Sequence, residues 1–320
     1  MSQARSRAAV FLAAAVIIAA APMSAQTLDD AREAIAHGEF EKGLEFALDP
    51  AAAGDPTAQL LIARLHAGGH VQGGGAAEAI TWYRRSAAGG DPLAQLELGL
   101  IFADDGSPHF DIVAAADLFE RSASQGNATA QYNFGLIYAQ GEARRQDWAE
   151  AGRWFEKAAA QDHVEAIYAL GTLHDEGLGV RSDPVEAARL IGLAARAGLV
   201  DAELDYAMMA LQGRGVKQDE AAAALWFESA AMKGNSVAQN RLARLYAFGL
   251  GVEPDDVEAA KWHELAKKGE VFDLTLDMAL ARMPPDQRAR VREAVDAFRP
   301  KSSALHPIRG LTRAQPAQSP

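Results

Sequence analysis

An all-α solenoid of antiparallel helix pairs is the fold this sequence predicts, and three observations predict it. A 36-residue period runs through the chain, small residues recur at fixed places in each period, and the composition is rich in alanine and poor in rings. Of 320 residues 49% are hydrophobic but only 7% aromatic, so the core must bring backbones close together. Alanine-rich helices packed on helices meet that demand.

Six segments align without a gap: AQLLIARLHAGG from Ala58, AQLELGLIFADD from Ala94, AQYNFGLIYAQG from Ala130, AIYALGTLHDEG from Ala166, AELDYAMMALQG from Ala202 and AQNRLARLYAFG from Ala238. Each is read as the first helix of a repeat. It carries a small residue at Ala63, Gly99, Gly135, Gly171, Ala207 or Ala243. The second helix carries Ala79, Ala115, Ala151, Ala187, Ala223 or Ala259, and these small pairs let the two helices approach closely. Three residues on stand Trp82, Leu118, Trp154, Leu190, Trp226 and Trp262. Next to them are Tyr83, Phe119, Phe155, Ile191, Phe227 and His263, on the same helical face.

The punctuation agrees. Asp111, Asp147, Asp183, Asp219 and Asp255 suit the N-cap of the second helix, with Glu150, Glu186 and Glu258 three residues later as in a capping box. Gly90, Gly126, Gly198 and Gly234 suit its end, and Asp55 with Pro56 and Asp91 with Pro92 suit the start of the next helix. The loops inside repeats four to six read Gly-Leu-Gly-Val from Gly177, Gly-Arg-Gly-Val from Gly213 and Gly-Leu-Gly-Val from Gly249.

The pattern A-x-x-x-L-G-x-x-Y-x-x-G-x-G-V, then D-x-x-x-A-x-x-W-[FY]-x-x-A-A-x-x-G, spans residues 58–269 in six copies. On these residues the chain resembles the Sel-one-like repeats, relatives of the tetratricopeptide repeats with a longer interhelical loop. A tetratricopeptide unit runs about 34 residues, so the longer period and the glycine loop favour the Sel-one-like form. The resemblance implies a right-handed superhelix of helix pairs. Repeats one to three depart from it in the loop, at Gly73, Gly74 and Gly75, at residues 104–108, and at Ala143, Arg144 and Arg145. Residues 26–57, broken at Gly38, and residues 270–298, broken at Met283, Pro284 and Pro285, read as helix pairs capping the stack. From Arg299 to the end the composition turns to Pro, Ser, Gln and basic residues, which predicts a disordered basic tail over 299–320.

The first 25 residues read as a secretory signal peptide: Arg5 and Arg7 precede an apolar run over residues 8–21, closed by Pro22, Ser24 and Ala25. Cleavage is expected after Ala25 and export to the periplasm of a Gram-negative bacterium. The run is short for a membrane span of about 20 residues, so no stable membrane insertion is expected after removal of the signal. With no cysteine the chain forms no disulfide and offers no thiolate. Lys+Arg 31 against Asp+Glu 43 gives −12, and without Arg5 and Arg7 the remainder carries −14. Eight Lys/Arg against three Asp/Glu from Arg282 onward leave −19 on residues 26–281, which argues against a nucleic-acid partner.

No reaction chemistry is legible. His263 and Glu264 begin like the H-E-x-x-H zinc site, but Lys267 stands where the second histidine belongs, and His263 occupies the aromatic slot of Phe227. His66 and His174 likewise fall in the slot of Tyr138 and Tyr246. His66 and His70 are four apart, yet separated by Gly68 and Gly69 at an expected helix end. There is no S-x-x-K, G-x-S-x-G, P-loop or G-x-G-x-x-G motif. Neither enzyme activity nor a cofactor or metal is expected.

The family resemblance implies an adaptor or regulator, so the expected function is a periplasmic interaction scaffold for a partner protein or peptide, in envelope signalling or cell-wall maintenance. The alternatives are peptidoglycan binding and β-lactam hydrolysis. The latter belongs to cysteine-rich members, whose disulfides this chain lacks. In the tetratricopeptide stack the first helices line the concave wall. By position this assigns Tyr132, Leu136, Tyr168, Thr172, Met208, Asn240 and Arg244 to a partner-binding groove.

Overall fold

Between residues 23 and 301, the range described by the computed structural model, the regular structure is entirely α-helical. The expected signal peptide and tail lie outside the described residues, except where the first helix opens at Met23 and where residues 299–301 follow the last. Those last residues are docked: the Lys301 N–H donates to the Met232 carbonyl at 2.8 Å.

The chain divides into two units at Ala94 and Gln95. In the first, α1 (Met23–Ala36), α2 (Phe40–Ala52), α3 (Pro56–Ala67) and α4 (Ala76–Ala88) pack in chain order, each on the next. Ala31, Ala47, Ala58 and Ile62 are fully buried between them. α5 (Pro92–Ala103) opens at the division and leads into the second unit. There follow α6 (Ile112–Ser124), α7 (Ala128–Gln140), α8 (Trp148–Ala159), α9 (Val164–Glu176), α10 (Pro184–Arg196), α11 (Val200–Gln212), α12 (Glu220–Met232), α13 (Ser236–Phe248) and α14 (Asp256–Lys268). The short α15 (Leu274–Leu280) and α16 (Pro285–Ala297) pack on α14.

The small-residue columns do more than bring backbones together. A methyl group added to Gly135 would lie 2.5 Å from the Phe155 ring, and one on Gly99 2.7 Å from Phe119. Each glycine is the seat of the ring on the partner helix. Phe119 and Phe155 are thereby fully buried, as is Phe227 in the repeat that carries Ala207, a burial that stabilises by about 1.5–3 kcal/mol per ring.

Each cap aspartate acts twice. The Asp147 carboxylate accepts from the Glu150 N–H (2.9 Å), while its own N–H donates to the Tyr138 carbonyl (3.0 Å) and closes the loop onto the first helix. Asp183, Asp219 and Asp255 repeat both contacts. The capping box expected at Glu150, Glu186 and Glu258 is therefore not completed, because the N–H that the glutamate would accept from is already engaged. These glutamates pair instead with Arg153, Arg189 and Lys261, one turn on.

Beyond the second helices a left-handed residue recurs with the same period: Gly54, Gly90, Gly126, Gly198 and Gly234 have φ between 91° and 96°. Asp162 (φ 60°) and Glu270 (φ 63°) hold the same place. A side chain in this conformation costs about 1–2 kcal/mol, partly offset by the greater entropy glycine loses. Asp162→Gly is accordingly expected to stabilise by about 0.5 kcal/mol, read as a raised urea or thermal midpoint; a lowered midpoint counts against this account of the column.

A polar ladder joins a buried side chain of the first helix to a more exposed one past the end of the second. In repeat three the Gln131 side chain donates to the Ala123 carbonyl (3.2 Å) and accepts from Gln161 (2.8 Å). Gln125 donates to Gln95 in repeat two (2.8 Å), and Lys233 to Glu203 in repeat five (2.8 Å). Partners always lie 30 residues apart. The sequence carries the signal, since glutamine meets glutamine and glutamate meets lysine in that register.

Candidate docking cleft

In repeats four to six the glycine loop is a plug. Gly179, Gly215 and Gly251 have φ near 70° and rest on the first turn of the second helix of the preceding repeat. A methyl group on Gly179 would lie 2.4 Å from the Ala149 amide nitrogen, on Gly215 1.8 Å from the Pro184 carbonyl oxygen, and on Gly251 2.4 Å from that of Glu220. Val180, Val216 and Val252 follow and pack into the neighbouring core.

Repeat three has no such plug. Ala143 stands in the place of the second glycine and is not left-handed, and Arg144 stands in the place of valine. Its guanidinium reaches Asp117 (2.6 Å) and Glu120 (3.4 Å) on α6 instead of filling the core. Beside the first turn of α6 a cleft of about 700 Å³ opens among α5, α6 and α7. Leu100, Phe119, Leu136 and Ile137 line it together with Phe110 and Ile112, and Asp104, Asp105 and Glu142 carry its charge.

Two of these apolar side chains face solvent, Leu100 at 43% and Phe110 at 46% exposure. Phe110 is held out by its own chemistry. At the same place in later repeats the side chain turns back to the first helix: Gln146 donates to the Ala139 carbonyl (2.8 Å) and Ser182 to that of Asp175 (3.4 Å). A phenyl ring has no donor to do so. Asp104 accepts from the Gly106 N–H (3.2 Å), and among the described residues no lysine or arginine pairs with Asp104, Asp105 or Glu142.

Of the residues assigned to a groove by position, only Leu136 lines this cleft, and at 9% exposure it is part of the core of repeats three and four. Tyr132 is buried, its ring stacked on His163 at 5.0 Å. The Tyr168 hydroxyl donates to Asp205 (2.8 Å), and Thr172 to the Tyr168 carbonyl (3.2 Å). Met208 is half-buried against the core of repeats five and six. Asn240 (3.3 Å) and Arg244 (2.8 Å) both donate to Asp273, which ties α13 to the start of α15. Tyr168, Asn240 and Arg244 thus tie one repeat to the next element of the stack. Leu100, missing from that set, holds the position in repeat two that Leu136 holds in repeat three.

His263 and His70 are engaged in packing contacts. His263 is 2% exposed, with Nε2 2.8 Å from the Asp277 carboxylate, and this contact holds the Asp277 carboxyl below its usual range. Glu264 pairs with Lys267 one turn away (2.9 Å). His70 stacks on Phe40 at 4.2 Å. Among the described residues no three metal-ligating side chains converge, and no helix is long and apolar enough to cross a membrane.

Six consecutive segments match the Sel1 repeat: residues 56–91, 92–127, 128–163, 164–199, 200–235 and 236–269. The chain belongs to the Sel1 repeat family. Among solved structures it is similar to a Sel1 repeat protein from Oxalobacter formigenes, at 28% identity over 76% of this chain and 99% of that one, with a TM-score of 0.66. It is also similar to a protective antigen present in uropathogenic Escherichia coli strains and displaying an SLR fold. There the identity is 26% over 86% of this chain and 68% of that one, with a TM-score of 0.61. None of the curated proteins matches the chain. Sel1 repeat proteins are generally scaffolds for protein–protein interaction, and the Sel1 repeat fold is typically non-enzymatic.

Proposed function

We propose that this Sel1 repeat protein is an exported, periplasmic, non-enzymatic scaffold that docks a partner protein through the cleft of repeats two and three, in envelope signalling or cell-wall maintenance. One observation carries the docking reading: Leu100 and Phe110 stand exposed beside a cavity floored by Leu136 and Ile137. Apolar side chains solvated together at a cavity mouth are the usual anchor of a docked segment, whereas single exposed apolar residues need no explanation. The charged start and apolar run over residues 1–21 support export.

The test places a photo-crosslinking residue at position 110 and, as a control, at Arg153 on the exposed side of α8 in the full-length chain. A discrete crosslinked partner is expected from position 110 in the native envelope, lost when Leu100→Glu is added, with helicity and melting midpoint unchanged. Equal crosslinking from both positions overturns the site. Fractionation of the native cell checks export, and recovery of the protein in the cytoplasm overturns the periplasmic assignment.

A further inference from the structure

We infer that the cleft of repeats two and three selects a cationic peptide segment bearing one large apolar side chain; the inference rests on the docking reading above. The cleft separates two loops, and both present acid to it. Asp104 and Asp105 come from the loop of repeat two, and Glu142 from that of repeat three. No lysine, arginine or histidine lines the cavity. Arg144 is drawn onto Asp117 and Glu120, while Arg145 and His109, exposed on the same two loops, lie outside the lining.

The floor is of the opposite character. Leu100, Phe119, Leu136 and Ile137 offer no polar side chain, Asn133 and Gln140 add only uncharged amides to the lining, and about 700 Å³ holds a leucine, methionine or phenylalanine side chain. An acidic segment would meet like charge on both lips and lose its hydration without compensation. A neutral one would leave three carboxylates desolvated at the rim. A segment with lysine or arginine on each side of its anchor satisfies lips and floor together, and the −19 charge of residues 26–281 draws it in from a distance.

The experiment measures fluorescence anisotropy of three labelled, end-capped peptides of about a dozen residues on the purified full chain. One carries a phenylalanine between two Lys-Arg pairs, one has glutamates for the cations, and one has serine for the phenylalanine. The first is expected to bind, and the other two at least tenfold more weakly. Asp104→Asn, Asp105→Asn and Glu142→Gln together should reduce its affinity at least tenfold, as should a rise from about 50 to 300 mM salt. A control chain with Glu228→Gln, Glu253→Gln and Asp256→Asn removes the same charge elsewhere and should bind as the unmodified protein does. Circular dichroism verifies that both chains are folded. Equal loss in the control chain, or equal binding of the glutamate peptide, overturns the selectivity. If a neutral peptide with the same anchor binds as tightly and depends on Leu100 and Phe110, the cleft docks partners without charge selection and the inference fails alone. If binding of every peptide is indifferent to Leu100→Glu with Phe110→Glu, the docking reading fails with it.

Discussion

Replacing Gly215 by alanine is expected to destabilise the protein by about 3 kcal/mol, the largest effect of any single methyl group in the interhelical loops. Two costs combine. The backbone there is left-handed (φ 71°), which costs an L-residue about 1–2 kcal/mol. The added carbon would also lie 1.8 Å from the Pro184 carbonyl oxygen, a backbone atom in the first turn of α10 that cannot swing aside. Overpacking of this kind costs typically about 1–3 kcal/mol. Gly213 separates the terms: its φ is 68°, but the nearest atom to an added carbon is the Gln218 Cβ at 3.1 Å. Gly213→Ala should therefore cost only the conformational part. Urea unfolding of the two variants side by side measures the difference, and equal losses would show that the second glycine does not seat the loop on its neighbour. Relief of the clash lifts the loop, so Gly215→Ala should also expose Val216 and open between repeats four and five a gap like that between two and three.

The second large effect lies in the polar ladder. Lys233→Met should cost about 3–5 kcal/mol, because it strands the Glu203 carboxylate. That side chain is 3% exposed and accepts from the Lys233 ammonium and the Ser229 hydroxyl, both at 2.8 Å. Lys233 also donates to the Gly198 carbonyl (3.1 Å), so its loss frees a second, half-buried acceptor. Changing both partners, Glu203→Gln with Lys233→Gln, installs the pair that repeat three already uses at Gln131 and Gln161. The double variant is expected within about 1 kcal/mol of the unmodified protein, since paired neutral amides carry no uncompensated charge. A double-mutant cycle on unfolding midpoints decides the matter. If the double variant is no more stable than Lys233→Met, the ladder is incidental to the packing of α11 on α12.

Local geometry explains what could be read from the residues alone. Helix pairs, cap aspartates and left-handed glycines each depend on a few neighbouring residues, and a signal repeated every 36 residues is hard to mistake. The Glu150 capping box failed because the competing acceptor for the Asp147 N–H, the Tyr138 carbonyl, sits across the loop. Two of the residues assigned to a groove by position are engaged within the protein for a related cause. Tyr168 and Arg244 are polar or long enough to suit a partner, but Asp205, 37 residues on, and Asp273, 29 residues on, already engage them.

By itself, then, the sequence determined an all-helical stack, its period, the placement of its turns and its membership of a scaffold family. Only the tertiary structure decided where that stack is left open. Leu100 and Leu136 hold the same position in successive repeats, yet one is 43% exposed and the other 9%. Both line the cleft, but the first stands at its mouth beside a loop that lacks the second glycine, and the second is held in the core of repeats three and four, where the loop carries Gly179 and Val180. Exposure at one position is set by a loop one repeat later in the chain, and a contact at that separation becomes visible only when the neighbouring repeat is in place.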